Sequence, residues 1–348
     1  MAEYNVVSVR RTPQSSGVPV YTELGPLYAS ALEVKDFKSL TPAECRVTVS
    51  MGSLDSDTKT SLLDLAAAPI EVWVYRDGTR IFAGPVVGGN VNQDTVTLNS
   101  RGRSIYMSYM LVWTDKSFTS IDLFTIAKEL VDDWQALTYG NFGILTASIG
   151  TLGTTRSLEI PGASEFPRVL GVLQNLSQGA FEAWLDHDTG ALEFAAARGT
   201  DLSASVALER GIVDAEAGFA LGPGLLASEV YAAGTSPTAA LVTSKSDATL
   251  RASFGRSGLG TNHDPVTDAN HLSDLADADL AAVGTVYFSP GGEMFEVLEA
   301  TYGNMEPGNT VEYSYDAGLG KQTANVRIEK RTISVAQDGQ EKLAVEFE

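Results

Sequence analysis

The chain is nearly free of cysteine, since Cys45 is the only one in 348 residues. A single thiol forms no disulfide within the chain and builds no cysteine cluster for a metal, so both kinds of scaffold are excluded. Cys45 lies in the alternating run Cys45–Val49, which predicts a half-buried position in a strand.

Basic residues are also scarce. The 24 lysines and arginines stand against 44 aspartates and glutamates, which gives a net charge of −20. Binding to phosphate groups needs clustered cations, so we expect no sequence-specific nucleic-acid binding and no attraction to anionic membranes. The simplest interpretation of the acidity is solubility.

Long apolar runs are missing as well. No run is long enough to cross a bilayer, and Met1–Asn5 lacks the basic and apolar parts of a secretion signal. We therefore expect synthesis in a cytoplasm and no membrane anchor. The length and the 44% hydrophobic content predict a folded protein with two or more domains.

Histidine occurs only three times, at His187, His263 and His271. There is no H-E-x-x-H spacing, so we interpret all three as exposed loop residues rather than zinc ligands. Asp186–Gly190 begins like a calcium loop, D-x-D-x-G, but the third acid is absent and strand-like residues follow. Aspartate and glycine are also what a hairpin turn prefers, and we adopt that interpretation.

Motifs for nucleotide binding and catalysis are missing too. Residues 222–227 match a relaxed G-x-G-x-x-A pattern, but Pro223 lacks the backbone donor that a phosphate needs. There is no G-x-S-x-G nucleophile motif. The paired acids are typical of solvated helix faces: Asp132 with Asp133, and Asp277 with Asp279. We predict no catalytic residue, no metal ligand, no cofactor and no enzymatic activity.

What the sequence does contain is an antiparallel meander within Pro69–Arg101. Ile70–Tyr75 alternates apolar residues with others, which indicates a strand with one buried face. Asp77-Gly78 supplies a tight turn, Gly84-Pro85 interrupts the returning strand, and Thr95–Leu98 forms the third strand. With the strands predicted before it, this stretch favours a small, mostly antiparallel barrel or sandwich.

Helices and a hairpin are predicted in the middle of the chain. Apolar residues over 123–134 recur at i, i+3, i+4 and i+7, and Ser120 is the predicted N-cap. A second helix has Pro167 in its first turn, where the missing N–H costs nothing. A hairpin of residues 180–185 with 191–195 follows.

The last third mixes strands with one helix. We predict two short strands within 238–251, a loop over 253–268, a helix over Asn270–Val283 capped by Asn270, and extended chain at 295–300. Residues 307–348 repeat the layout of the opening meander: an alternating strand, a glycine turn, a kinked strand, a second turn and a closing strand. We interpret this as a duplication of architecture.

The predicted fold class is therefore mainly β with α insertions (α+β). It comprises two small antiparallel tube-like β-barrels and a helix-and-hairpin middle region. The predicted domains are the first barrel at 1–112, the helical insert with its hairpin at 113–200, and the second barrel at 201–348. The second barrel carries a loop–helix insertion at about 253–284.

This layout resembles a known family. The meander EVWVYRDGTRIFAGPVV with TVTLNSRGRSIYM behind it, the helix FPRVLGVLQNLSQG before FEAWLDHDTGALEF, and the ending from PGNTVEYSY onward resemble the tail-hub (baseplate hub or tail-tip hub) proteins of long-tailed phages. In plan they are similar to the N-terminal part of contractile secretion spikes. The hairpin matches the pattern W-x-D-x-x-T-G-x-L at Trp184, Asp186, Thr189, Gly190 and Leu192.

The resemblance implies a structural virion protein without enzymatic activity, located at the tail tip after assembly in the host cytoplasm. It implies a homotrimer that adapts a sixfold tail tube to a threefold tip and forms part of the channel for DNA ejection. The implied partners are distal tail or tube proteins above, tail-tip or receptor-binding proteins below, and tape-measure protein and DNA in transit. A negative lumen would repel that DNA.

Three other functions stay open. A hexameric distal tail or tail tube protein would share barrel chemistry, but the repeated meander argues against a single barrel per subunit. If the protein is instead a tail-associated cell-wall hydrolase, the purified protein would clear cell-wall substrate. A carbohydrate-binding adhesin would use Trp73, Trp113 or Trp184 as stacking platforms, and alternation predicts that Trp73 is exposed. A subunit interface explains exposed aromatic residues equally well.

Overall fold

The computed structural model describes the following stretches of the chain: residues 2–63, 69–92, 94–147, 149–209, 213–221, 227–235, 241–249, 258–263, 266–283, 286–294, 301–316 and 321–347. These residues are mainly β with a few helices, as the sequence predicts. The strands are β1 Tyr4–Thr12, β2 Val20–Pro26, β3 Ala29–Phe37, β4 Glu44–Ser50, β5 Ile70–Arg76, β6 Thr79–Val91, β7 Thr95–Arg101, β8 Lys116–Asp122, β9 Thr155–Ile160, β10 Glu182–Leu185, β11 Leu192–Ala195, β12 Ala207–Glu209, β13 Val213–Leu221, β14 Glu229–Gly234, β15 Leu241–Ser246, β16 Gly258–Asn262, β17 Val286–Met294, β18 Thr310–Asp316, β19 Lys321–Val335 and β20 Glu341–Phe347.

The helices are α1 Ser56–Leu63, α2 Leu123–Gln135, α3 Gly162–Glu165, α4 Val169–Ser177 and α5 Ala269–Val283, and short 3-10 helices span Met51–Ser53 and Arg103–Ser108. Within the described stretches, none of the helices combines the length and the apolarity that crossing a bilayer requires.

The strands β5, β6 and β7 form the predicted meander. β5 pairs antiparallel with the first part of β6, and from Val86 onward β6 pairs with β7. Asp77 and Gly78 have φ angles of 49° and 83°, the left-handed conformation that a tight hairpin needs. A Cβ atom added at Gly84 would lie 1.8 Å from the carbonyl oxygen of Arg101, so only glycine allows this close approach.

The strands β18, β19 and β20 repeat this arrangement at the end of the chain. β19 pairs with β18 up to Arg327 and with β20 from Ile328 onward. In both meanders the register shifts directly after the change of partner, between Val86 and Gly88 in β6 and between Ile328 and Lys330 in β19. The repeated three-strand layout predicted from the sequence is therefore present in the structure.

Both meanders belong to one 13-stranded sheet. Its strand order is β13-β17-β20-β19-β3-β4-β7-β6-β5-β1-β2, with β18 also pairing β19 and β12 pairing β18. The two meanders are connected through β4 and β3: β7 pairs with β4, β4 with β3, and β3 with β19, from Leu32 opposite Val335 to Phe37 opposite Lys330. Among the described strands this path does not return to its first strand, so closure into two barrels stays a prediction.

Three large hydrophobic clusters fill the described part of the molecule. One draws on residues 6–98, one mainly on residues 106–194 and one on residues 206–347. Ile81 and Val335 pack against both the first and the last cluster, so these two cores adjoin. The boundaries of the three predicted domains remain a prediction.

The helix starts in the middle region differ from the prediction. α2 begins after Asp122, whose carboxylate accepts a hydrogen bond of 2.9 Å from the backbone N–H of Phe124. The predicted cap, Ser120, lies in β8 with a φ of 53°. Pro167 precedes α4, which begins at Val169, rather than lying in its first turn. In both cases the helix begins about two residues later than predicted, because a serine or a proline near a helix start does not by itself fix the first helical residue.

The last third also departs from the prediction. α5 is capped by Asp268, whose Oδ1 accepts a bond of 2.8 Å from the N–H of His271, and not by Asn270. The predicted loop at 253–268 contains the strand β16, which pairs parallel to β14. The strand was not predicted because its glycines give it the composition of a loop. The predicted pair of strands within 238–251 is the single strand β15 in the described residues. The predictions at 222–226 and 295–300 lie outside the described residues.

Candidate functional site

The first feature of the site is a buried carboxylate, Glu71 on β5, which is 0% exposed. Arg103 donates to it through Nε at 2.9 Å and Nη2 at 2.8 Å, Trp73 through Nε1 at 2.7 Å, and Tyr106 through its hydroxyl at 2.8 Å. Burying a carboxylate away from water costs free energy unless hydrogen-bond donors replace the water. These four bonds supply such donors to both oxygens of Glu71. Arg103 and Tyr106 lie in the 3-10 helix Arg103–Ser108, and Tyr106 belongs to the hydrophobic cluster of the middle region. The network therefore ties β5 to that cluster, and we call it the first junction.

Trp73 takes part in this network, so the prediction that it is exposed is wrong. Its ring centroid lies 5.5 Å from that of Tyr21, and the guanidinium carbons of Arg80 and Arg103 lie 4.4 and 5.2 Å from its centroid. Strand alternation predicts which residues share a face, but here both faces of β5 are covered. Trp73 is therefore a packing residue of the junction and offers no free stacking platform.

The hairpin β10–β11 is the second feature, and its turn is confirmed as a turn. Oδ1 of Asp186 accepts the backbone N–H groups of Asp188 at 2.7 Å and Thr189 at 2.9 Å, which uses the carboxylate within the turn. Arg80 of β6 donates to the carbonyl oxygen of His187 at 2.6 Å and to that of Asp188. The first meander therefore holds the tip of this hairpin.

The last meander holds the opposite end of the same hairpin. Arg327 of β19 donates to Glu182 through Nη1–Oε1 at 2.6 Å and Nη2–Oε2 at 2.5 Å, and the N–H of Arg198 adds a bond of 2.6 Å. Burial alone would raise the pKa of Glu182, but the bonds from Arg327 and Arg198 outweigh it and hold that pKa below its ordinary value. The hairpin is therefore held between the two repeated meanders. We call the bonds between Arg327 and Glu182 the second junction.

A cleft of about 450 Å³ lies beside the hairpin. Asp36 of β3 lies 3.5 Å from Nη2 of both Arg198 and Arg331 and 4.0 Å from Nε2 of His187. Burial is the main cause that lowers the pKa of His187, so its ring is neutral at neutral pH. The strands β3 and β19 and the turn of the hairpin β10–β11 thus meet around the carboxylate of Asp36, with charges of both signs lining the cleft.

Trp184 and His187 line this cleft, and the other predicted residues lie elsewhere. Trp113 is 48% exposed, and Trp184 is half-buried with the guanidinium of Arg198 5.2 Å from its ring. His263 contacts Asp279 at 2.7 Å. The side chains of the three histidines are only 6–16% exposed, so the prediction that they are exposed is wrong. In the stretches that the structure describes, no three His, Cys, Asp or Glu side chains are grouped to hold a metal ion.

Two further predictions are settled by burial. Cys45 is fully buried rather than half-buried, because its side chain packs within the hydrophobic cluster of residues 6–98, and burial raises the pKa of its thiol. Three of the paired acids form partly exposed ion pairs, as expected for solvated faces: Asp132 with Lys128, Asp133 with Lys116, and Asp277 with Lys245. Asp279 contacts His263.

Sequence reasoning missed the ionic contacts that build the junction. The available signal was an acid inside an otherwise apolar strand, as Glu71 is within Ile70–Tyr75. A buried charge requires a partner, but the partner residues Arg103 and Tyr106 are more than 30 positions away, and the sequence does not specify them.

Comparison with known proteins gives matches at the level of structure. No protein-family model matches the chain, and no curated protein matches it by sequence. The tail protein from Neisseria meningitidis MC58 superposes with a TM-score of 0.61 and 13% identity, covering 99% of this chain and 96% of that one. The 43 kDa tail protein of prophage MuSo2 from Shewanella oneidensis gives 0.62 and 13%, covering 99% and 98%.

A third match comes from a secretion apparatus. A component of the type VI secretion system of E. coli, described as structurally similar to bacteriophage T4 tail proteins, superposes with a TM-score of 0.50 and 11% identity, covering 93% of this chain and 74% of that one. The similarity extends over nearly the whole length of this chain in all three cases. The chain therefore has the fold of these phage tail proteins, a fold that the secretion-system component shares, as the resemblance in sequence layout implies.

Proposed function

We propose that this protein is a structural component of a phage tail, a homotrimeric hub that adapts the sixfold tail tube to the threefold tail tip. The observation that carries the proposal is the repeated meander. Two similar three-strand units in one chain, connected through β3 and β19, give three subunits six similar positions around an axis.

The contacts of the junction support a fixed spacing of these units. The hairpin β10–β11 is held by Arg80 from the first meander and by Arg327 from the second. A subunit that contributes two meanders to a ring needs a constant distance between them. The hairpin β10–β11, bonded to both meanders, keeps that distance constant. We infer that the predicted segments 1–112, 113–200 and 201–348 act as one such part.

The proposed partners follow from this position in the tail. Distal tail or tube proteins would lie above the ring, tail-tip or receptor-binding proteins below it, and tape-measure protein and DNA would pass through its lumen. The net charge of −20 suits a lumen that repels DNA. The protein would assemble in the host cytoplasm and act at the tail tip, without an enzymatic activity of its own.

The experiment is a native mass measurement of the purified full chain, followed by class-averaged electron microscopy. We expect a mass of three times 36.9 kDa and a ring with six lobes around a central hole. A hexamer with one lobe per subunit would instead support a distal tail or tube protein. A stable monomer that clears cell-wall substrate would contradict the proposal outright.

A further inference from the structure

The strand β9 has an open edge. It pairs antiparallel with β8 on one side, and within the described residues no strand pairs with its other side. Alternate backbone N–H and C=O groups of a strand point to each side, so the open edge presents unused donors and acceptors. An edge of this kind is a template for another extended chain.

A groove of about 430 Å³ is bounded by this edge and by α4. Its floor is apolar, because Leu158 and Ile160 of β9 and Val172 and Leu176 of α4 line it. The five residues 156–160 of β9 that line the groove extend over roughly 17 Å at 3.3–3.4 Å per residue. A groove between a strand edge and a helix admits one added strand, whose alternate side chains reach the floor.

Gly171 of α4 lines the groove and leaves the space beside it open. A Cβ atom added at Gly171 meets nothing within 4 Å, although this position faces the groove. Gly171 is the third residue of α4, and glycine is a poorer helix former than alanine. Helix stability therefore gives no reason for this glycine, whereas an unobstructed groove does.

His271 lines the same groove and is 6% exposed. Its ring hydrogen-bonds the backbone of Asn175, while its Nδ1 is buried and has no partner in the structure. Burial is the main cause that lowers the pKa of His271, so the ring is neutral and Nδ1 is an acceptor that lacks a donor. An incoming N–H or hydroxyl would satisfy it.

The charges at the rim favour a cationic segment. Glu159 and Glu165 are exposed and line the groove. Two arginines also line the groove: Arg156 is paired with Asp274, and Arg168 donates to the carbonyl oxygen of Ser108, whereas neither glutamate contacts a cation in the described residues.

We propose that this groove binds an extended segment of another polypeptide by strand addition to β9, with apolar residues at alternate positions and lysine or arginine at its ends. The added strand hydrogen-bonds the open edge of β9, buries its apolar side chains on the floor and places its cations beside Glu159 and Glu165. This binding needs a single subunit and is independent of the oligomeric state.

The test is fluorescence anisotropy with three labelled peptides on the full chain. The peptide KVTVTVK should bind saturably. KVTPTVK should bind about tenfold more weakly or worse, because proline lacks the N–H and does not fit a central strand position. EVTVTVE should bind about threefold more weakly, and that difference should shrink as salt is raised.

Substitutions at Gly171 localise the binding. Gly171→Leu fills the groove and should weaken KVTVTVK binding about tenfold, while the melting temperature stays equal or rises because leucine is a better helix former. Gly171→Ala adds only a methyl group and should keep binding within about twofold. Glu165→Lys should weaken binding about threefold in low salt.

Three results would overturn the proposal: no binding of KVTVTVK to the native chain, equal binding of KVTPTVK, or undiminished binding to Gly171→Leu. A fourth would reassign the groove. If the native chain self-associates, if Gly171→Leu abolishes that association and if the peptide does not bind, then the occupant is a second copy of this chain.

Discussion

The two meanders share a strand layout but achieve it with different residues. In β6 the change of partner follows Gly84, where the backbone approaches Arg101 too closely for any side chain. In β19 it occurs at Arg327, which is anchored by its guanidinium to Glu182 and to the carbonyl oxygens of Gly308 and Arg198. A repeated architecture thus needs the same pairing geometry, not the same residues.

Burial also separates the two meanders. The first one is tied to the hydrophobic cluster of the middle region through Glu71 and Tyr106, and Glu71 is completely desolvated. The second is tied to it through Glu182, whose side chain keeps 19% of its exposure. Because losing a partner costs more where water does not replace it, we expect the first junction to be the more sensitive to substitution.

The largest effect is expected at Gly84. A Gly84→Val side chain would collide with backbone atoms of Arg101 and Gly102, which do not move without disturbing β7. We expect a loss of about 4 kcal/mol or more in the free energy of unfolding, measured by urea denaturation. Gly88→Ala on the same strand meets nothing within 4 Å and should change stability by less than about 1 kcal/mol.

The next largest effect is expected at Glu71. Glu71→Ala leaves Arg103 buried without its anion, and such a broken pair costs about 3–5 kcal/mol. The urea midpoint and the fluorescence of the tryptophans, including Trp73, report the change. The matched control is Glu44→Ala, which breaks a surface pair with Arg101 and should cost at most about 1 kcal/mol. Equal costs for both variants would contradict the role of burial.

A smaller effect is expected at the second junction. Arg327→Ala removes the two bonds to Glu182, which are charged and half-buried, and should cost about 2 kcal/mol in urea denaturation. Lys330→Ala, three residues along the same strand, loses a pair with the exposed Glu346 and should cost about 0.5 kcal/mol. A loss at Arg327 as large as that at Glu71 would remove the distinction between the two junctions.

The smallest effect is a dependence on pH. The pKa of Glu182 is lower in the folded chain than its ordinary value of 4.5, since its bonds to Arg327 outweigh burial. The stability this supplies is fully present above pH 4.5 and is lost as the pH falls through the folded pKa. Urea midpoints of the native chain and of Arg327→Ala should therefore converge in acid. A constant difference down to the lowest pH would contradict this assignment.

Local signals predicted local structure well. Alternation together with Asp77-Gly78 predicted the first meander, and the same signals predicted the repeated one and the hairpin β10–β11. Each of these elements pairs with a neighbour in sequence, so the pattern and the turn lie in one short window. The strand β16 was missed because its first three residues, Gly258-Leu259-Gly260, have the composition of a loop. Its partner β14 is also not adjacent to it in the sequence.

The ionic contacts of the two junctions could not be predicted, for a different reason. The partners of Glu71 and Glu182 depend on how distant parts of the chain pack together. Arg327, for example, lies 145 positions from Glu182. The pairing of β3 with β19 is more distant still. Neither periodicity nor composition carries information over such separations, whereas the buried acid itself was visible in the sequence.

The pairing of β3 with β19 sets the order in which the chain is able to fold during synthesis. Val34 is opposite Ile333, about 300 residues later in the chain. At roughly 5–20 residues per second, the ribosome needs about 15–60 seconds to make the partner of a strand that has already left the tunnel. Throughout that interval β3 presents a bare edge, and a chain that terminates before residue 330 keeps that edge permanently, so truncated products are expected to aggregate.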